Sequence, residues 1–203
     1  MITVRPSEPQ AAATGYVRRV AHIEAARPID DVWFMTPEDV RPLSDDWLVP
    51  VAVVAGMALG DDVHVAGRVS ERLFATLGEI QRIVAERAAG LGRVQITADE
   101  VAPTPRPETP RTLSCFSCGV DAFYAVLEPE QPIDELLYVH GLEAHPSDQR
   151  LLATALPHVR TAAVELELPL RLAETNWRSV LEQLGGHAYF VSIPMLMSLS
   201  LIH

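Results

Sequence analysis

The chain has 203 residues, of which 48% are hydrophobic and 21% charged, and its formal net charge is −11 at pH 7. This composition is typical of a soluble globular protein with enough apolar material for one large domain or two small ones. The negative charge repels polyanions and therefore disfavours a nucleic-acid partner. Two cysteines are too few for a disulfide-stabilised scaffold.

No segment of the sequence reads as a secretory signal or a membrane span. The first 15 residues lack the apolar centre of a signal peptide. Two apolar runs, residues 47–59 and 188–202, are shorter than the roughly 20 residues that cross a bilayer as a helix. We therefore expect a cytoplasmic protein without a membrane partner, in which residues 188–202 form a buried helix.

The first half of the chain mixes strand and helix patterns. β-Branched and aromatic residues predict strands, and periodic apolar residues behind Asp45-Asp46 and behind the N-cap Ser70 predict two helices, the second ended by Gly90 and Gly92. The predicted strands cover residues 16–24, 31–35, 63–66 and 93–97. Together these elements predict a small α+β domain over residues 1–101, of which residues 1–13 form a loose tail.

Residues 102–110 contain four prolines in nine positions (APTPRPETP). Such a segment is stiff and extended and cannot pack as a helix or an inner strand. We interpret it as a linker between two domains.

Beyond this linker, strands and helices alternate as βαβαβα through residues 111–203, which predicts a parallel sheet flanked by helices. The strands are expected at 111–116, 133–140 and 168–173, with helices at 120–127, behind a cap at Ser147, and at 177–184. Pro157 is expected to kink or split the second of these helices. Three strands make a thin sheet, so we expect a truncated domain, or a homo-oligomer or partner that covers the open sheet.

The first strand of this half runs into Ser117-Cys118-Gly119-Val120-Asp121-Ala122 and then a helix. The start of a helix leaves backbone N–H groups unpaired and carries partial positive charge, which suits phosphate. We expect Ser117 to add a hydroxyl donor and Gly119 to adopt a positive φ. Asp121 is placed where it could help to hold a magnesium ion between phosphates.

These six residues resemble S-G-G-x-D-S, the signature of the PP-loop ATP pyrophosphatase superfamily, over a segment of roughly residues 110–203. The resemblance implies a Rossmann-like, adenine nucleotide alpha hydrolase-like (HUP) fold. It also implies ATP and Mg²⁺ as cofactors, and adenylation of a small carboxylate or amide substrate with release of pyrophosphate. Phosphate contacts are implied along residues 117–122, with Asp121 as the metal ligand and catalytic residue. Cys118 replaces the first glycine of the signature and Ala122 its second serine.

The ends of the next two strands are expected to face the same crevice. His140 and Glu143 follow one strand, and Asn176 and Arg178 follow the other. In the resembling family these regions line the adenosine pocket, and a guanidinium such as that of Arg178 matches a phosphate or an acidic substrate. Each has a plainer interpretation, as a strand-end or surface residue.

Other functions of the Cys115-x-x-Cys118 stretch remain open. A C-x-x-C pair between strand and helix is typical of a thioredoxin-like redox site, and structural zinc would need two more ligands. A buried Cys115 beside an incidental Cys118 is the plainest interpretation. The departures at Cys118 and Ala122 also fit an impaired nucleotide-binding subunit, and a third alternative is thiol chemistry at Cys118.

Overall fold

The computed structural model describes residues 1–88, 90–142, 145–185 and 192–202, without the side chains of residues 192–194. Within these residues the fold is mixed α/β, with one open nine-stranded sheet. The strands are β1 (Ile2–Pro6), β2 (Gln10–Ala11), β3 (Tyr16–Glu24), β4 (Val32–Pro37), β5 (Val63–Ser70), β6 (Ile96–Ala102), β7 (Leu113–Cys115), β8 (Glu135–His140) and β9 (Leu170–Thr175). The helices are a 3-10 helix (Asp45–Leu48), α1 (Val49–Leu59), α2 (Glu71–Arg87), α3 (Val120–Leu127), α4 (Gln149–Glu165), α5 (Trp177–Gln183) and α6 (Ser192–Ile202).

The strand order is β6-β5-β1-β3-β4-β9-β8-β7, with β2 paired to β3. In the second half, β7, β8 and β9 are parallel neighbours, as the βαβ pattern predicts. β9 then pairs antiparallel with β4 through Phe34–Thr175 and Met35–Glu174. The sheet is therefore continuous across the Pro-rich segment. The division into two domains and the Rossmann-like identity of the second half stay predictions.

The prediction of a loose tail over residues 1–13 is wrong for residues 2–6, which form β1. Ile2 and Val4 are fully buried there. β1 lies between β3, with which it is antiparallel, and β5, with which it is parallel. A five-residue strand whose partners are distant in sequence leaves little local pattern to predict it.

One face of the sheet is covered by α1, α6 and the 3-10 helix, which pack on one another. α1 is apolar on nearly all sides because it is enclosed between the sheet and these neighbours. Pro50 occupies its first turn, where a missing N–H costs little. In the described part of the chain, no helix is long and apolar enough to cross a bilayer.

A second apolar cluster fixes α3 and α4 to the opposite face of β7–β9. It is built from Phe116, Leu136, Val159, Ala162 and Ala163. The expected split at Pro157 is wrong, because α4 is one continuous helix, and a kink there stays a prediction. The helix is capped by Asp148 rather than by Ser147. Because Pro157 has no N–H, the carbonyl of residue 153 loses its helical hydrogen-bond partner. Both residues lie on the exposed side of α4. Water can satisfy that carbonyl there, while the cluster holds the helix in place.

Candidate functional site

The candidate site lies at the carboxyl ends of the three parallel strands. β7 leads through Phe116 into residues 117–122, which we call the 117–122 loop, while β8 ends at His140 and β9 at Thr175. In open α/β sheets ligands bind at this edge. The predicted phosphate loop and the ends of the next two strands therefore share the edge where a ligand is expected.

The backbone of the 117–122 loop differs from the expectation at one residue. Cys118 has a φ of 63°, in the left-handed region, whereas Gly119 has a φ of −75° and a ψ of 163°. The prediction of a positive φ at Gly119 is therefore wrong. The left-handed residue is Cys118, at the position where the resembling signature has its first glycine. That conformation costs a non-glycine residue about 1–2 kcal/mol, which a glycine would not incur.

The amino end of α3 leaves backbone donors of the 117–122 loop without a partner among the described residues. The first backbone hydrogen bond at this end runs from the Phe123 amide to the Gly119 carbonyl, over 3.0 Å. The amides of Val120, Asp121 and Ala122 precede it, and no side chain among the described residues caps this end. Unpaired amides and the partial positive charge of the helix end together favour an anion.

The side chains of the loop point in two directions. Ser117 is exposed, and its hydroxyl accepts a long hydrogen bond of 3.4 Å from the Gly119 amide. Cys118 and Ala122 are partly buried and pack against the apolar cluster beneath α3. The Ala122 side chain therefore faces the apolar cluster, and residue 122 offers a ligand its backbone amide.

A cavity of about 280 Å³ opens beside the loop. Its wall includes Ser117 at the end of β7 and His140 and Gly141 at the end of β8. Apolar side chains close it from two helices: Leu151 and Ala155 of α4, and Leu196 of α6. Ligand pockets typically measure about 300–1,000 Å³, so this cavity suits one part of a nucleotide rather than the whole molecule.

Two residues at the end of β8 shape this wall. His140 is buried, and its Nε2 donates to the Pro146 carbonyl at 3.1 Å. Gly141 has a φ of 97°, and a Cβ built on it would lie 1.9 Å from the carbonyl oxygen of Thr175. Only glycine fits there, because the ends of β8 and β9 meet backbone to backbone.

The residues predicted beyond β9 have partners away from this cavity. Asn176 accepts from the Trp33 amide at 2.8 Å through Oδ1 and donates to the Asp31 carbonyl at 2.8 Å through Nδ2. Its amide group therefore ties the end of β9 to the start of β4. Arg178 lies 3.6 Å from Glu182 across one turn of α5 and is not part of the cavity wall. Glu143, the remaining predicted contact, lies outside the described residues.

Asp121 is exposed in the first turn of α3, where the helix dipole favours a carboxylate. Among the described residues, no three His, Cys, Asp or Glu side chains gather into a group that could hold a metal ion. Mg²⁺ is usually bound by only one or two carboxylates together with phosphate oxygens and water. Asp121 therefore fits a magnesium ion that arrives with a nucleotide.

The two cysteines are both free thiols. Cys115 is exposed, contrary to the interpretation of a buried residue, because β7 is the last strand of the described part of the sheet and the side chain borders the cavity. Burial raises the pKa of the half-buried Cys118 thiol. A reactive cysteine has a lowered pKa instead, so this environment does not activate Cys118.

Part of the cavity wall was not among the predicted site residues. Gly141 carries a sequence signal, since a glycine directly after a predicted strand marks a close backbone approach or a positive φ. Leu196 comes from α6, far along the chain from β7 and β8. No local pattern connects it to the loop, and only the tertiary fold brings it there.

Neither a protein-family model, nor a curated protein, nor a solved structure matches the chain. The resemblance to the PP-loop superfamily therefore rests on the residues of the 117–122 loop and their setting.

Proposed function

We propose that the 117–122 loop binds the phosphates of ATP, and that the chain adenylates a small carboxylate or amide substrate with release of pyrophosphate. The observation that carries the proposal is the uncapped amino end of α3, where the amides of Val120, Asp121 and Ala122 have no partner among the described residues. These amides lie within and just after the Ser117-x-Gly119-x-Asp121 pattern. The adjoining 280 Å³ cavity supports it, because it has room for the nucleoside or the substrate. An ATP-dependent function places the chain in the cytoplasm, where ATP is available.

In this reaction a substrate oxygen attacks the α-phosphorus of ATP, and the bond from that phosphorus to the bridging oxygen of pyrophosphate breaks. A nitrogen or sulfur nucleophile then displaces AMP. The chain needs no nucleophile of its own, since its task is to position the phosphates and stabilise their charge. The α3 amides and the Ser117 hydroxyl donate to phosphate oxygens, and a magnesium ion held by Asp121 would neutralise part of the phosphate charge.

Replacing Val120 by proline tests the phosphate contact directly. Val120 is the first residue of α3, where proline is well tolerated. Gly119 before it already has the extended backbone that a residue preceding proline prefers. The substitution therefore removes one amide donor without disturbing the helix, and Val120→Ala, which keeps the amide, is the matched control.

Isothermal titration with Mg·ATP should show saturable binding to the wild type and to Val120→Ala. Affinity should fall about tenfold to a hundredfold in Val120→Pro, because a hydrogen bond to a charged group contributes about 1.5–3 kcal/mol. Equal affinities in the two variants would contradict the proposed contact. Pyrophosphate exchange with candidate carboxylic acids and amides then tests the chemical step.

An alternative is an impaired nucleotide-binding subunit, and the left-handed Cys118 is the observation that favours it. Cys118→Gly separates the two functions. If the wild type binds no ATP and Cys118→Gly does, the natural loop is degenerate. If the wild type binds and the variant binds equally well, Cys118 is a tolerated variant. The raised pKa of the Cys118 thiol argues against the remaining alternative, thiol chemistry at Cys118, which would require fast alkylation of Cys118 that ATP prevents.

We also infer that a second copy of the chain covers the β7 edge of the sheet. β7 is the last strand of the described sheet, and Val120, Tyr124 and Leu127 expose an apolar stripe of α3 close to it. Unpaired strand edges and exposed apolar stripes favour association. Light scattering should show a dimer that Tyr124→Glu weakens, and a monomer at every concentration would contradict the inference.

A further inference from the structure

Arg19 of β3 is a charged residue inside the protein. Its side chain is only 4% exposed, and it pairs across the sheet with Phe34 of β4. Nη1 donates to the Thr36 hydroxyl at 2.5 Å, and Nη2 donates to the Val40 carbonyl. Both acceptors are neutral, so these bonds satisfy hydrogens without supplying a counter-ion.

The described residues offer Arg19 no ion pair, since every salt bridge among them joins other groups. Its Nε has no hydrogen-bond partner in the described part of the chain. Burial, and next the positive charge of Arg41, lower the pKa of the Arg19 guanidinium. The surrounding protein therefore disfavours this charge, and a buried charge is normally retained only where a partner stabilises it.

Arg19 and Arg41 both line a cavity of about 500 Å³, which we call the Arg19 cavity. Its wall also contains Trp47 and three prolines, Pro6, Pro9 and Pro42. Pro6 ends β1, and Pro9 and Pro42 lie in the segments that follow β1 and β4. Prolines restrict the backbone, so these segments have less conformational freedom to lose on binding.

Two carboxylates also border the Arg19 cavity. Asp45 is engaged elsewhere, because its Oδ2 accepts from the Arg68 amide at 2.8 Å. Glu38 is exposed and forms no salt bridge within the described part of the chain, including with either arginine of the cavity. Among the described residues, neither carboxylate forms an ion pair with Arg19 or Arg41.

We propose that the Arg19 cavity binds a small oxyanion, a phosphate or carboxylate group, between the guanidinium groups of Arg19 and Arg41. Guanidinium groups match the oxygen geometry of both anions and form strong charge-assisted hydrogen bonds with them. β3 is separated from β7 in the sheet by β4, β9 and β8. The site is therefore distinct from the 117–122 loop and does not depend on the proposed nucleotide function.

Thermal unfolding with inorganic phosphate or acetate, against sodium chloride at equal ionic strength, tests the site. The wild type should show a saturable rise in Tm beyond that in chloride, and Arg41→Gln should weaken the apparent affinity at least tenfold. Arg160→Gln, at an exposed position of α4, is the matched control and should behave as the wild type. A response to phosphate alone identifies a phosphate site, and a response to acetate as well identifies a site for carboxylates.

Two further variants distinguish the Arg19 cavity from the 117–122 loop and from an internal counter-ion. Val120→Pro should leave the phosphate effect intact, and loss of the effect there would assign the bound phosphate to the 117–122 loop and overturn the proposal. Glu38→Gln should bind phosphate at least as tightly as the wild type. If Glu38 is itself the counter-ion, Glu38→Gln will lower Tm and gain a phosphate response that the wild type lacks, which also overturns it. The proposal is also overturned if the wild type shows no phosphate-specific response, or if the Arg41→Gln variant binds phosphate as the wild type does.

Discussion

Replacing Gly141 by alanine should destabilise the protein severely, because two separate costs fall on one methyl group. The φ of 97° is unfavourable for a residue with a Cβ, at about 1–2 kcal/mol. The Cβ would also lie 1.9 Å from the Thr175 carbonyl oxygen, so backbone must move. Overpacking of this kind costs about 1–3 kcal/mol. The sum is about 2–5 kcal/mol.

Two other glycines separate these costs. Gly60 has a φ of 67° with no atom within 4 Å of a built Cβ, so Gly60→Ala should cost about 1–2 kcal/mol from backbone conformation alone. Gly78, inside α2, has neither a positive φ nor a close neighbour. Gly78→Ala should therefore stabilise the protein by about 0.5–1 kcal/mol through helix propensity.

Urea and thermal unfolding followed by circular dichroism measure all three variants. At about 2–4 °C per kcal/mol for a chain of this size, Gly141→Ala should lower Tm by roughly 4–20 °C. A cost no larger than that of Gly60→Ala would refute the close approach of β8 and β9, because the positive φ alone would then account for it.

Three further predictions concern other parts of the site and its support. Asn176→Ala should cost about 1–3 kcal/mol in unfolding experiments, because two backbone groups before and within β4 lose their partner. The hydrogen bond from Arg171 is the main cause that holds the pKa of Glu135 below its usual range. Stability from this carboxylate should be present above its unfolded pKa and lost as pH falls through the folded value, and Glu135→Gln should flatten that acid limb. Cys118 should react with iodoacetamide at pH 7 no faster than a free cysteine, because its pKa is raised, and faster labelling would contradict this.

Elements whose sequence signal lies within the element itself were predicted with the correct bounds. The bounds of β3 and α3 agree with the sequence prediction, since β-branched residues in one and apolar spacing in the other are contained within each segment. β1 was missed because its burial depends on β3 and β5. β6 begins at Ile96, three residues later than expected, because pairing with β5 fixes its start.

The sequence predicts where the candidate site lies better than it predicts which residues contact a ligand. The strand–loop–helix order located the 117–122 loop, because the carboxyl ends of parallel strands are a general ligand site. No local pattern indicates a left-handed residue at Cys118, since that conformation depends on the path from β7 into α3. The position of Asn176 after β9 predicts a ligand contact, whereas backbone groups of Asp31 and Trp33, distant in sequence, use both ends of its amide.

The most direct test of the central claim follows the backbone amides of α3 by ¹⁵N–¹H NMR during a titration with Mg·ATP. Binding at the 117–122 loop predicts that the amides of Val120, Asp121 and Ala122 show the largest shift changes, saturating together with the affinity measured by calorimetry. Saturable binding with the largest changes elsewhere, or no change at these amides at millimolar Mg·ATP, would contradict the account.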